Sequence, residues 1–470
     1  MTTFTLGLGV PGAMQFLPDY RIATHGDFHA IATGATANPA AGVCSWQAAG
    51  SACTWPLPTA ASLTTIDDLW HAAVNGRGNY FAASDPASLY AGITDMVAQI
   101  VNRAGTAAAA TTSNPNVSAG DNFVFISNYT SGAWLGQLIG KTLDLNTGAV
   151  LDLPSDWNAA SLLQTDTGRR IVFFDTTAPN GLRDFAWANL SATQRSYFEL
   201  PHITATGRAL TQFCSFGPNC LPPAAQSTAA GERLLDFVRG ARGDEGSLID
   251  TTRFFRERRF TNPSTGVVLD TVLGAIINSE AVYVRRVMFN YALPGYAAFK
   301  ASTVARQPMV YVGSNGGMLH AFDALTGAEA WAFVPTMVMP NLYRLADKDY
   351  ASRHHYFVDA SPAVADVQIG GVWRTLLVGG LGAGGRGYFA LDITDPAAPR
   401  ALWEFTHANL GLSFGCAEIG RLEDGTWVVL LPSGYNNASP GDGRGRLFVL
   451  DAATGTLIRS IDTGVGTATV

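Results

Sequence analysis

Arg242-Gly243-Asp244 is the shortest stretch with a chemistry of its own: a cation and a carboxylate separated by one Gly, the tripeptide that integrins recognise when a flexible loop offers both charges. The same residues follow a helical pattern at Gly231 to Val238, so a helix exit and turn fits them equally well. His354-His355 sets two imidazoles side by side, but neighbours on an extended segment point to opposite faces and do not share one ion. The Gly-rich run 379–387 has the composition of a phosphate loop without its Lys-Ser/Thr or the helix that should follow, and reads as a hairpin or edge loop. Asn436 to Gly443 is rich in oxygen donors but lacks the alternating carboxylates that calcium asks for. Asn128-Tyr129-Thr130 fits the glycosylation acceptor pattern, and no function is attached to it.

The cysteines fall as two short-spaced pairs, Cys44 with Cys53 and Cys214 with Cys220, and a leftover Cys416. No Cys-x-x-Cys or nearby His accompanies them, so two local disulfides in an oxidising, extracytoplasmic setting are expected and a zinc site is not. No nucleophile elbow, His-Glu-x-x-His or paired carboxylates can be assembled from local spacing, and no catalytic, cofactor or metal residue is expected.

These candidates must be carried by a chain of 470 residues that is 47% hydrophobic and only 14% charged, enough for at least two buried cores. With 50 Gly and 23 Pro, it suits many short strands joined by tight turns. The formal charge of −7 and the lack of a Lys/Arg-rich run argue against nucleic acid as a partner. No run approaches the ~20 apolar residues of a spanning helix. The N-terminus, Met1 to Val10, reads as a buried strand rather than a signal peptide, so an export signal is expected outside these residues.

Residues 1–103 show that strand, a polar loop and two helical segments, the second capped by Ser84 and Asp85 with Leu89, Ile93, Met96, Val97 and Ile100 on one face. One strand with helices is the end of an α/β domain whose other strands lie elsewhere. Residues 104–120, opening on an Ala/Thr run at Thr106 to Thr112, read as a linker.

Beyond the linker, over 121–470, a unit repeats. Its clearest copy runs from Val310 through Asp323 and Thr326-Gly327 to Phe333; others run from Leu376 through Asp392 to Phe405 and from Val428 through Asp451 and Thr454-Gly455 to Ile461. A weaker copy spans Phe123 to Val150 with Asp144 and Thr147-Gly148. In the shared Asp-x-x-Thr-Gly turn, Asp accepts bonds from turn amides and Gly takes the left-handed conformation that reverses the chain. With one further strand ahead of each later copy, the units have four strands, the pattern of propeller blades. Between about 155 and 281 the repeat is lost and a helical insertion is expected. The predicted fold class is mainly β: a partial β-propeller with quinoprotein-like four-stranded blades, preceded by an α/β remnant.

The stretch Ile66 to Phe81, the blade Val310 to Phe333, Tyr356 to Pro362, and Gly434-Tyr435-Asn436-Asn437 with Gly445 to Asp451 together resemble the PilC/PilY family of type IV pilus proteins. That resemblance implies that residues 1–103 are the C-terminal part of a von Willebrand factor A-like domain and that 121–470 are part of a C-terminal propeller. It further implies a non-enzymatic role in pilus assembly, retraction control and adhesion at the cell surface, with pilin or minor pilins and host or surface receptors as partners. Similar sequences carry Arg-Gly-Asp at about the position of Arg242 to Asp244. The family's Asp-x-Ser-x-Ser adhesion motif would lie upstream of Met1, and its calcium loop beyond Val470, so calcium is expected of the full-length protein rather than of these residues. Around Leu273 to Ala281, the family more often has Asp at Ala275 and Pro at Ala281, and this blade entry is expected to be locally remodelled.

Two other readings share the blade pattern. Ala-x-Asp-x-x-Thr-Gly-x-x-x-Trp, from Ala321 to Trp331, also recurs in quinone-cofactor dehydrogenases, which typically place two adjacent Cys beside the cofactor; none occur here. An outer-membrane assembly scaffold would use a similar propeller for protein contacts alone.

Overall fold

The computed structural model describes residues 5–8, 11–17, 19–21, 23–76, 80–83, 109–112, 121–165, 168–261, 266–287 and 289–466. The chain divides into two compact units, Met1–Arg103 and Ala104–Val470.

In the first unit, strand Thr5–Leu8 pairs in parallel with Tyr80–Ala83, and helices Asp27–Thr33 and Thr64–Asn75 pack beside them. Trp70 is buried at the centre, with its ring 5.5 Å from Tyr80 and 5.9 Å from Phe28, both stacked. Two buried carboxylates tie the intervening loops: Asp67 accepts the amides of Ala13 and Met14, and Asp27 those of Gln15 and Cys44. Burial pushes the Asp67 carboxyl up, against the lowering effect of those amides. The helix read from Ser84 onward lies outside the described residues.

The second unit is built from four-stranded antiparallel sheets. The first blade comprises Ala109–Thr112, Phe123–Thr130, Leu135–Thr142 and Trp157–Asn158. The third comprises Ala363–Ile369, Val372–Gly380, Tyr388–Asp392 and Arg400–Phe405, and the fourth Glu418–Arg421, Trp427–Pro432, Arg446–Asp451 and Leu457–Asp462. The second blade, Val282–Val284, Met309–Ser314, Met318–Asp323 and Glu329–Val334, continues outward into Ile171–Phe174, which runs parallel to its last strand, and then Leu182–Asp184. Almost every side chain of Met309–Ser314 and Met318–Asp323 is buried, which is why these strands read as apolar runs without alternation.

Two boundaries differ from the sequence reading. The linker expected over 104–120 contains Ala109–Thr112, the first strand of the first blade; small Ala and Thr side chains carry no hydrophobic period, yet their backbone completes the ladder on Val124 to Ser127. The insertion expected at about 155–281 is not simply helical. It supplies Trp157–Asn158 to the first blade and covers the outer edge of the second with Ile171–Phe174, an arrangement that removes an exposed strand edge. Its helical part includes Pro223–Ala229 and Glu232–Arg239.

The turns explain how the blades lock. Asp323 Oδ1 accepts the amides of Leu325 and Thr326 at 2.8 Å each, and Asp451 Oδ1 those of Ala453 and Thr454 at 3.1 and 2.8 Å. Each turn then receives a Trp from the outer strand of the preceding blade. Trp157 donates its indole N–H to Ala324 O at 3.0 Å, Trp331 to Pro396 O at 2.9 Å and Trp403 to Ala452 O at 3.0 Å. Gly327 and Gly455, at φ +74° and +69°, lie so close to Trp157 and Trp403 that a Cβ would meet the ring at 2.5 Å.

Candidate functional site

Arg242-Gly243-Asp244 follows helix Glu232–Arg239, where Gly240 at φ +124° turns the chain. The Arg242 guanidinium pairs with Glu245 at 3.1 Å and with Asp270, and donates to Arg258 O at 3.2 Å. Asp244 pairs with Arg233 at 3.2 Å, and its carbonyl accepts the amides of Phe254 and Phe255 at 3.0 Å each. Gly243 O accepts Arg253 Nη1. Both charges of the tripeptide are therefore committed to the protein's own partners, in a turn held from several sides rather than a free loop. Glu245 is buried between Arg242 and Arg258, and burial lowers the Arg258 guanidinium to about 10. Beside this turn lies a cavity of about 540 Å³ lined by Glu232, Arg233, Asp236, Phe237, Asp244 and Phe255.

A constellation that local spacing did not reveal sits inside the second blade. His320 Nδ1 lies 2.6 Å from Glu329 Oε1 and its Nε2 2.8 Å from Ser314 Oγ, while Arg169 pairs with Glu329 at 2.7 Å. Burial pushes the His320 imidazole down, and Glu329 is held at about 2 because Arg169 and His320 together outweigh its burial. A neutral imidazole donating from Nδ1 leaves Nε2 to accept the Ser314 hydroxyl, the connectivity of an acyl-transfer triad. Ser314 and Glu329 are fully enclosed, however, and His320 is 2% exposed, so no substrate carbonyl reaches the hydroxyl. Across three strands and the adjoining insertion, the four side chains act as an internal polar lock.

A second lock joins the entries of the second and third blades. Asp359 accepts Asn278 Nδ2 at 2.6 Å and Asn315 Nδ2 at 2.8 Å, and Asn315 Oδ1 in turn accepts the Phe357 amide at 2.9 Å. Burial raises the Asp359 carboxyl, while the bonds from Asn278 and Asn315 oppose the rise. Ala275 sits in this entry: its N donates to Trp134 O at 3.2 Å and its carbonyl accepts Asn315 N at 2.8 Å.

The remaining candidates are placed as follows. His354 stacks on Trp134 at 3.9 Å and His355 lies edge-on to Phe357, on separate neighbours; burial lowers the two imidazoles to about 3 and about 4. The Gly-rich run is the hairpin joining Val372–Gly380 to Tyr388–Asp392, and its Arg386 donates to the carbonyls of Asn436, at 3.0 Å, and Ser439. That contact takes up backbone oxygens of the 436–443 loop, and Asn437 bonds to Asn409 O and Arg444 O. Asn128 to Thr130 end the strand Phe123–Thr130. Cys44 is bonded to Cys53 and Cys214 to Cys220, and Cys416 is free and exposed. Among the described residues no cluster of His, Cys, Asp and Glu is arranged to hold a metal, and no helix is long and apolar enough to cross a membrane.

Four-stranded blades locked by Trp-on-turn contacts define a β-propeller protein, with polar networks buried within and between blades. Residues 273–469 match the family model described as the PilY1 beta-propeller domain. The chain is 31% identical over 485 residues to the type IV pilus biogenesis factor PilY1 of Pseudomonas aeruginosa strain UCBPP-PA14, covering 98% of this chain and 37% of that protein. It is 32% identical over 390 residues to a type IV pilus biogenesis factor PilY1 homolog of Xylella fastidiosa strain Temecula1, covering 80% of this chain and 27% of that protein. The crystal structure of the Pseudomonas aeruginosa PilY1 C-terminal domain aligns over 39% of this chain and 38% of that one, at 35% identity and a TM-score of 0.33. Residues 273–469 of this chain form a PilY1-family β-propeller domain. The chain spans little more than a third of the length of the first of these relatives.

Proposed function

We propose that the chain is part of a non-enzymatic type IV pilus factor whose propeller is a rigid platform for pilus assembly, retraction control and adhesion. The observation that carries this reading is the 31% identity over 98% of the chain to a relative named a type IV pilus biogenesis factor. The blade locks support it: they hold the sheets at fixed spacing and leave the loops as the surface open to contact. Two disulfides fit an extracytoplasmic, cell-surface setting. In the same reading, residues 1–103 are the C-terminal part of a von Willebrand factor A-like domain, pilin or minor pilins and surface receptors are the partners, and calcium serves the complete protein.

The test is to delete the gene in its own bacterium, restore it, and count surface pili by electron microscopy with and without the retraction motor. Loss of pili that returns when retraction is blocked supports control of retraction, and loss in both backgrounds supports assembly. Unchanged piliation and surface attachment would remove the pilus reading altogether.

A further inference from the structure

The turns Asp144 to Gly148, Asp323 to Gly327 and Asp451 to Gly455 have one geometry. In each, the Gly amide returns to the Asp carbonyl, at 2.8, 2.8 and 2.9 Å, and the Gly has φ +70°, +74° and +69°. In the second and fourth blades the residue after the Asp, Ala324 or Ala452, is fully buried and its carbonyl accepts the indole N–H of Trp157 or Trp403. The first blade has Leu145 at that place, 50% exposed. Among the described residues no donor reaches Leu145 O, and no atom lies within 4 Å of where a Gly148 Cβ would stand. A carbonyl in want of a donor, beside a Gly with no Cβ to hold a ring away, suits a flat N–H donor: an indole.

This chain has no such indole to spare. Trp157, Trp331 and Trp403 are each seated on the turn of the following blade. In the fourth blade the same position is an Arg. Trp331 lies opposite Ala321 and Trp403 opposite Ala390, one residue before the bulge in each ladder, and Arg459 lies opposite Val449 one residue before the bulge in the last. A second copy of this chain would therefore bring Arg459, not Trp, to the first blade. The three existing locks all join consecutive blades of one polypeptide, and the same packing carried one step further needs a further four-stranded sheet. The relative that matches 98% of this chain has well over half its length outside the match, ample for such sheets.

We propose that the turn Asp144 to Gly148 is the closing seat of the propeller, taking the indole of an outer-strand Trp from a further blade of the same polypeptide, with Leu145 O as acceptor. This goes beyond the pilus reading and does not depend on which pilus step the chain serves.

The test uses the full-length protein, with benzoylphenylalanine in place of Asn146, whose side chain is exposed on this turn. After irradiation the adduct should migrate as a monomer, and mass spectrometry should join position 146 to a Trp-containing peptide outside residues 1–470. Hydroxyl-radical footprinting of the unsubstituted protein gives an independent readout. Leu325, in the occupied turn of the second blade, is 51% exposed, against 50% for Leu145 without the further blade. Leu145 should be oxidised several-fold more slowly than Leu325, because the further blade covers it. In the full-length protein Gly148→Ala, which meets nothing within residues 1–470, should destabilise as much as Gly455→Ala. A cross-link to a second copy, to another protein or within residues 1–470, no cross-link, or equal oxidation of Leu145 and Leu325 would each overturn the proposal.

Discussion

The ring of Trp403 rests on Gly455, and its indole N–H reaches Ala452 O at 3.0 Å, so the outer strand of the third blade is fastened to the turn of the fourth. The turn of the first blade has the same construction: Asp144 accepts the amides of Asn146 and Thr147, and Gly148 has φ +70°. No described atom lies within 4 Å of where a Gly148 Cβ would stand. Gly148→Ala should therefore cost only the left-handed backbone term, about 1 kcal/mol. Gly455→Ala adds overlap with Trp403 and should cost roughly 2–4 kcal/mol, and Trp403→Phe about 1–2 kcal/mol for the lost bond and packing. Urea unfolding of the three variants checks the order; equal costs at Gly148 and Gly455 would show that the Trp contact contributes nothing.

Inside the second blade, Glu329→Gln leaves the Arg169 guanidinium enclosed without its counter-charge and should destabilise by roughly 3–5 kcal/mol. The folded carboxyl titrates at about 2 against an ordinary 4.5, so its contribution is fully present above pH 4.5 and is lost as pH falls toward 2. The wild type should consequently lose stability faster than Glu329→Gln on acidification through that window, measured by denaturant midpoints at pH 5 and pH 3. Ser314 should resist a fluorophosphonate probe in the folded protein; stoichiometric labelling at Ser314 would establish an accessible nucleophile and reopen the question of catalysis.

Much of the propeller was legible because its turns depend on local chemistry. Asp323, Thr326 and Gly327, or Asp451, Thr454 and Gly455, make their bonds within five residues and leave a readable signature. The locks are not local: Arg169 and Glu329 are 160 residues apart, and Asn278 and Asp359 are 81 apart. Only a weak sign was present, a Ser and a His among the mostly apolar residues of strands Met309–Ser314 and Met318–Asp323. Strand Ala109–Thr112 was illegible for a different reason, since Ala and Thr show no alternation and its pairing alone defines it. The Arg-Gly-Asp motif was legible as a string, but the partners Glu245, Asp270 and Arg233 that occupy its charges were not.

Asp359 joins two blade entries through neutral amides rather than through a cation. Asp359→Ala leaves Asn278 and Asn315 without their acceptor in a buried site and should cost roughly 2–4 kcal/mol. Asp359→Asn keeps the shape but replaces one acceptor with a donor facing amide donors, and should recover less than half of that loss. Hydrogen exchange of Phe357, whose amide bonds Asn315 Oδ1, reports the lock directly. Slow exchange in Asp359→Ala would mean that Asn315 is positioned by other contacts.

Glu404 gives the fold a pH dependence of the opposite sign to that of Glu329. Its carboxylate accepts the amide of Thr336 at 2.7 Å and the Thr336 hydroxyl. Burial pushes the carboxyl up to about 7, against the lowering effect of the Thr336 bonds. A raised carboxyl binds its proton more tightly in the folded state, so this group costs nothing below pH 4.5, costs progressively more between 4.5 and 7, and costs on the order of 3 kcal/mol above 7. Glu404→Gln removes that penalty while keeping a side chain that can still accept from Thr336. The variant should match the wild type near pH 5 and be more stable by about 1–3 kcal/mol at pH 8.5, read from urea midpoints at the two pH values. An equal difference at both would mean that Glu404 holds the same protonation state across the range, and that Thr336 stabilises the ionised form far more than its burial opposes it.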